Sequence, residues 1–160
     1  MIIVSDSSPL ISLSLISKLD LLTKIFSNIY IPAAVYNEIT TPGKPYSKIL
    51  SEFASGKTKS VKNKLSVSVL SKDLDNGEAE AIVLALENNI IRILIDEHKG
   101  RNIARANGLI PIGSLGILLR AKELKYIKEV KPYLDKLIQV KFRVSQSLYR
   151  KVLGYANELE

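Results

Sequence analysis

Met1-Ile2-Ile3-Val4-Ser5-Asp6-Ser7-Ser8-Pro9-Leu10-Ile11 opens the chain, and the order of residue types in it decides the fold. Ile2-Ile3-Val4 is a short β-branched apolar run, the pattern of a strand buried on both faces of a parallel sheet. Asp6 ends that run. Ser7, Ser8 and Pro9 then lead into Leu10-Ile11-Ser12-Leu13, which reads as a helix entered through Ser and Pro. Farther on, Ile90–Ile95 is a second buried strand, broken only by Arg92 and ended by Asp96. A short helix over Gly100–Ala106 follows, closed by Asn107-Gly108. Leu109-Ile110-Pro111-Ile112 is another short strand, and Gly113-Ser114 turns from it into a helix over Leu115–Leu124.

Between these units the pattern predicts a helix over Leu19–Phe26 and a strand over Asn28–Ile31 stopped by Pro32. Pro32 sits at or near the first turn of the next helix, which runs through Glu38-Ile39. Val35 and Ile39, four apart, share a face of it. From Lys44 to Lys72 the pattern is weak, with seven lysines against one glutamate. One helix is expected near Ser47–Ala54, then a mobile basic connection, with Leu65–Leu70 extended. Leu74-Asp75-Asn76-Gly77-Glu78 leads into a helix over Ala79–Glu87 with Ile82, Ala85 and Leu86 as its inner face. Val130–Ile138 and Ser145–Asn157 complete the chain as helices. Strands alternating with helices indicate an α/β fold whose parallel sheet is covered on both faces. No internal repeat or linker interrupts residues 1–160, which are expected to form a single domain.

At 160 residues the chain can bury a core without staples, and 46% apolar with 24% charged residues is the composition of a globular protein. The absence of cysteine excludes disulfides, thiolate metal sites and a cysteine nucleophile. His98 is the one histidine, so no His-rich zinc site can be built, and a surface or capping position is expected for it. There is no basic start followed by an apolar run and cleavage site, and no apolar stretch approaches the ~20 residues that cross a bilayer. A cytoplasmic protein with no membrane association is expected. The net charge of +7 favours a polyanionic partner, although a lysine-rich solvated surface accounts for it equally well. The same holds for Arg120 to Lys151, with ten basic residues against three acids.

In an open α/β sheet, ligands gather beyond the carboxyl ends of the strands. Asp6, Asp96 and Ser114 each follow a strand, and right-handed crossovers keep those strands parallel, so all three emerge on one edge. Glu38 lies on the stripe suggested by Val35 and Ile39, and Glu78 opens its helix. Each acid alone has a plain explanation. A helix dipole favours Glu78 by about 0.3–1 kcal/mol, Asp6 can cap the following turn, and Asp96 can cap the helix after it. Together they point at one place. Converging carboxylates raise each other's pKa, and a hard divalent cation removes that repulsion. Oxygen ligands favour Mg²⁺ or Mn²⁺ over zinc, and such an ion retains waters able to attack a phosphate. Lys99 and Arg101 follow Asp96 closely enough to touch a scissile phosphate, with a solvated helix start as the plain alternative. Glu80, about 200° around the helix from Glu78, is expected to face solvent. Tyr30, Tyr36, Tyr126, Tyr133, Tyr149 and Tyr155 are expected mostly in core or interface.

These residues, in this order, resemble the PIN-domain nucleases, a family that includes the VapC-type toxins of toxin–antitoxin pairs. The likeness is to a prokaryotic branch that opens on Asp-Ser-Ser-Pro-Leu-Ile, here Asp6 to Ile11. It continues through Ile31–Ile39, Leu74–Ile82, Leu94–Glu97, Ile112–Leu118 and Phe142–Ser145, failing only in the basic stretch before Lys72. The resemblance implies a three-layer α/β/α sandwich around a mainly parallel sheet of four to five strands. The family's four acids map onto Asp6, Glu38, Glu78 and Asp96 as catalytic and metal-holding residues. Glu78 departs from the commoner aspartate while agreeing with this branch. The family's supporting hydroxyl maps onto Ser114, and Ser7 stands where a small hydroxyl residue commonly follows the first acid. Single-stranded RNA cleavage with Mg²⁺ or Mn²⁺ is implied, with Asp6 and Asp96 holding the principal ion and Glu38 and Glu78 completing the shell directly or through water. Glu97 is expected to turn the other way. A small antitoxin protein and a homodimer are the implied partners. Two other readings compete: a catalytically silent module binding RNA or protein, and a receiver or haloacid-type phosphatase. The latter needs a further acid where Ser8 stands and a lysine where Gly113-Ser114 stand.

Overall fold

The computed structural model describes residues 1–159. The opening run forms strand β1 (Ile2–Ser5) at the centre of a five-stranded sheet. Ile3 and Val4 point to opposite faces and both are fully buried, which is why the run shows no polar alternation. On one flank β1 pairs with β2 (Asn28–Pro32), which pairs with β3 (Thr58–Lys59). On the other it pairs with β4 (Arg92–Leu94), which pairs with β5 (Ile110–Ile112). Every pair is parallel, and the order is β3-β2-β1-β4-β5. Val4 stands opposite Tyr30 on one side and Ile93 on the other.

Helices cover both faces. α1 (Ser7–Leu15), α2 (Asp20–Ile25), α3 (Ala33–Ile39), α4 (Ser47–Phe53), α8 (Ser114–Glu123), α9 (Lys131–Gln139) and α10 (Gln146–Tyr155) pack around Ile3, Ile29, Ile31 and Leu94. α5 (Lys64–Leu70), α6 (Asn76–Glu87) and α7 (His98–Ala106) pack around Val4, Ile93 and Ile95. The result is the expected three-layer α/β/α sandwich. No helix of the described residues is long and apolar enough to cross a membrane.

Three local features depart from the sequence pattern. Nothing in the pattern marks β3, which is two residues long with both side chains exposed. Leu65–Leu70, expected to be extended, lies in helix α5. Its start is fixed from outside the segment: Asn63 Oδ1 accepts the Ser66 N–H at 3.0 Å, and the Glu87 carboxylate accepts the backbone N–H groups of Lys62 and Asn63. These bonds also tie down a stretch expected to be mobile. Leu86, expected on the inner face of α6, is exposed; Gly77 through Ala85 are buried instead.

The chain lays β1, β2 and β3 outward in one direction, then crosses back to add β4 and β5 on the opposite flank of β1. The reversal falls between the carboxyl ends of β1 and β4, where such sheets open a crevice. Asp6 and Asp96 leave those two ends.

Candidate active site

Asp6 follows β1 directly, and its backbone N–H donates to the Leu94 carbonyl at 2.9 Å, which fixes it beside β4. It occupies the N-cap position of α1, yet its carboxylate makes no capping hydrogen bond, so the plain explanation for this acid fails. The side chain is buried at 4% exposure. Burial holds its carboxyl well above the ordinary range. The Ser7 N–H pulls the other way, and the charges of Asp75, Glu78 and Glu38 push it further up. Glu38, exposed on α3, accepts a hydrogen bond from the Ser7 hydroxyl at 2.5 Å. Ser7 therefore steadies the α3 acid.

Glu78 stands in the first turn of α6, where the chain forms a reciprocal capping box. Asp75 Oδ1 accepts the Glu78 N–H at 2.8 Å, and Glu78 Oε1 accepts the Asp75 N–H at 3.2 Å. The second oxygen, Oε2, is buried with no partner among the described residues. An unmet buried acceptor costs a fold about 1–3 kcal/mol, more when charged, and so calls for a physical reason. Burial, followed by the Asp75 side chain, pushes the Glu78 carboxyl up to about 7. A Cβ on Gly77 would stand 3.4 Å from Asp6 Oδ1, 3.4 Å from Val35 Cγ2 and 3.5 Å from Asp75 Oδ1.

Asp96 has both oxygens held by the first residue of α8. The Ser114 N–H donates to Oδ1 at 2.7 Å and the Ser114 hydroxyl to Oδ2 at 2.8 Å. Burial raises this carboxyl, Ser114 and Arg101 oppose the rise, and Glu97 adds to it. A Cβ on Gly113 would stand 2.9 Å from Asp96 Oδ1 and 3.0 Å from Arg101 Nη1, so only glycine fits between them. Arg101 donates to the Ile95 carbonyl at 3.1 Å. Lys99 is exposed and pairs with Asp73 at 3.8 Å. Glu97 is exposed at the N-cap of α7, and its charge is felt by both Asp96 and Glu78.

Asp6, Glu38 and Glu78 are thus electrostatic neighbours, and Asp96 stands at the next strand end, linked to them through Glu97. Among the described residues, no group of three or more acids or histidines is placed to hold a metal ion as it stands. Carboxylates without a countercharge repel, and three of these acids take donors from Ser7, the Asp75 N–H and Ser114 instead. One feature nonetheless fits a cation: the buried Glu78 Oε2 has no partner among the described residues.

Two acids escaped the sequence reading. Asp75 is one, although Asp-x-x-Glu before an apolar run is the capping-box signature. Glu80 is the other. Expected in solvent, it is 9% exposed, and its Oε1 accepts the Ala34 N–H at 3.0 Å at the start of α3. His98 is exposed at the start of α7, as expected, with Nε2 3.1 Å from the Asn102 amide nitrogen. A hollow of about 570 Å³ between α8 and α10, lined by Leu119, Lys122 and Tyr155, contains none of the clustered acids.

A family model described as a PIN domain matches residues 2–158. No curated protein and no solved structure matches the chain. PIN domains are typically nucleases and generally use divalent metals. With that match running almost from end to end, over an all-parallel sheet with Asp6 and Asp96 at its point of reversal, the chain belongs to the PIN-domain family.

Proposed function

We propose that residues 1–160 work as a single domain that cleaves single-stranded RNA in the presence of Mg²⁺ or Mn²⁺. The observation that carries this reading is the buried Glu78 Oε2, which has no partner among the described residues and belongs to a carboxyl whose charge Asp6 feels. Asp6 and Asp96 hold the principal ion, and Glu38 and Glu78 complete its surroundings directly or through water. When bound, the ion supplies Lewis-acid activation of a water against the phosphodiester. Ser114 fixes the Asp96 carboxylate and Ser7 the Glu38 carboxylate. Arg101 meets a phosphate oxygen with the donors left over from its bond to Ile95, while Lys99 adds charge at the rim. The net charge of +7 supports a polyanionic substrate. A toxin-like role in the cytoplasm, restrained by a small antitoxin protein, and a two-fold dimer belong to the same proposal and rest on the family resemblance.

The test is cleavage of a labelled single-stranded RNA by the purified protein with Mn²⁺ and with EDTA. Asp96→Asn is expected to cut at a rate lower by about 100-fold or more, with its melting temperature recorded to show that it folds. Full cleavage by a folded Asp96→Asn protein overturns the reading. The absence of a ready-made group of ligands among the described residues favours a second one, a silent module that binds RNA or protein. RNA binding by the wild-type protein without turnover in any divalent metal selects it.

A further inference from the structure

We propose that Asp75 is a positioning residue of this site: by capping α6 it fixes the Glu78 carboxylate so that one oxygen is spent internally and the other is offered to the cation. The inference rests on the metal-dependent reading above. Glu78 has two carboxylate oxygens in contrasting situations. Oε1 is pinned by the Asp75 backbone N–H at 3.2 Å, and Oε2 is buried without a partner among the described residues. The pin exists because Asp75 Oδ1 holds the Glu78 N–H at 2.8 Å, closing the turn that brings the Asp75 N–H under the glutamate. Each bond supports the other.

Helix capping alone explains half of this arrangement. Stabilising the start of α6 requires only the bond to the Glu78 N–H, and a glutamate at that place on an ordinary helix leaves its remaining oxygen in water. Here the residue is 6% exposed, and its free oxygen packs against Gly100, where a Cβ would stand 2.7 Å from it. The fold therefore dehydrates a carboxylate oxygen that it does not satisfy. Asp75 itself is exposed, so packing does not hold it; the capping bond does. A Cβ on Gly77 would stand 3.5 Å from the Asp75 Oδ1 and 3.4 Å from the Asp6 Oδ1, and the Asp75 charge acts on Asp6, so the cap stands close to the first acid of the site.

The test is Mn²⁺ affinity of the full chain, read from the free-ion signal in electron paramagnetic resonance, with circular dichroism to show that each variant is folded. Asp75→Ala is expected to weaken Mn²⁺ binding by about tenfold or more, the usual effect of removing a group that orients a ligand. Asp75→Ser and Asp75→Asn, which cap a helix as well as aspartate does, are expected to restore affinity close to wild type. If Asp75→Ala melts lower but binds Mn²⁺ as tightly as wild type, the residue is a helix cap only and the inference is overturned. If Asp75→Asn binds as weakly as Asp75→Ala, the charge itself holds the ion, and positioning is again the wrong account. A wild-type protein that binds no Mn²⁺ overturns the metal-dependent reading first, and that result is known before any variant is measured.

Discussion

A carboxylate buried to 4% exposure beside other acids weakens the fold that carries it. For Asp6 the sign is fixed by the direction of its shift. An acid whose folded pKa is raised contributes fully to stability only below its unfolded value, and that contribution is lost as pH rises toward the folded one. At neutral pH the metal-free protein is therefore destabilised through Asp6. Asp6→Asn keeps the shape and removes the charge. In EDTA the variant is expected to melt above wild type, by about 2–4 °C for each kcal/mol recovered. With saturating Mn²⁺ the gap should close or reverse, since only the wild-type protein gains from binding the ion. Calorimetry in both buffers checks this, and a variant that melts lower in EDTA marks Asp6 as a structural acid. Asp96 sits under a different constraint. Ser114 grips both of its oxygens, and Gly113 leaves no room for a side chain between it and Arg101. A methyl at 113 would have to displace a carboxylate already locked by two bonds, so the glycine there answers to space and not to backbone freedom.

Helix α6 shows how one element carries both stability and site. Its first turn holds Glu78, and close by Glu80 reaches across to accept the Ala34 N–H in the first turn of α3. Glu80→Ala leaves that N–H unmet in a part-buried setting, and a loss of about 1–3 kcal/mol is expected in urea unfolding. Glu80→Gln, which retains an acceptor oxygen, should recover most of it; equal losses in the two variants would show that the charge matters and the bond does not. The angle between Glu78 and Glu80 read as solvent exposure because an amphipathic helix is assumed to have one inner face, whereas α6 is buried from Gly77 to Ala85. Strands β1 and β4 were legible for the converse reason: burial on both faces leaves an apolar run, broken in the second only by the half-buried Arg92, and the acid ending each run marks the sheet edge. β3 offers two exposed residues and no run, and α5 depends on Glu87, more than 20 residues away, to anchor its start. For the site, pattern and topology gave the edge at which the acids gather. They could not give the bonds from Ser7 to Glu38 and from Ser114 to Asp96, because those depend on neighbours brought in by folding, whereas the Asp75–Glu78 pair is local and carries its capping-box signature in the sequence.

Across the whole molecule, one acid adds a polar tie among the C-terminal helices and α8, which already share the apolar layer around Ile3 and Leu94. Glu158 accepts the N–H groups of Val130 and Lys131 at 2.8 and 3.0 Å and the Lys122 ammonium at 2.9 Å. Lys122 also donates to the Ala156 carbonyl. The start of α9, the later turns of α8 and the segment after α10 therefore meet on a single carboxylate, and α8 is the helix whose first residue holds Asp96. Burial pushes the Glu158 carboxyl up, but the bonds from Val130, Lys122 and Lys131 outweigh it, and the group titrates below its ordinary value of 4.5. An acid with a lowered folded pKa lends stability that is present above its unfolded pKa and lost as pH falls through the folded one. Glu158→Gln should accordingly be less stable than wild type at pH 7, by about 1.5–3 kcal/mol, with the half-buried setting favouring the lower end. The difference should hold between pH 8 and 6, where the carboxylate is charged in both states. Below about pH 4.5 it should shrink, and it should vanish once the folded carboxyl is protonated, because a neutral acid and a neutral amide then meet the same donors. Urea unfolding of both proteins at pH 7 and pH 3 reads the difference directly. A gap as large at pH 3 as at pH 7 would mean that shape, not charge, joins these helices, and the anchoring of α8 would then have to come from its apolar face, where Ile117, Leu118 and Ala121 are buried.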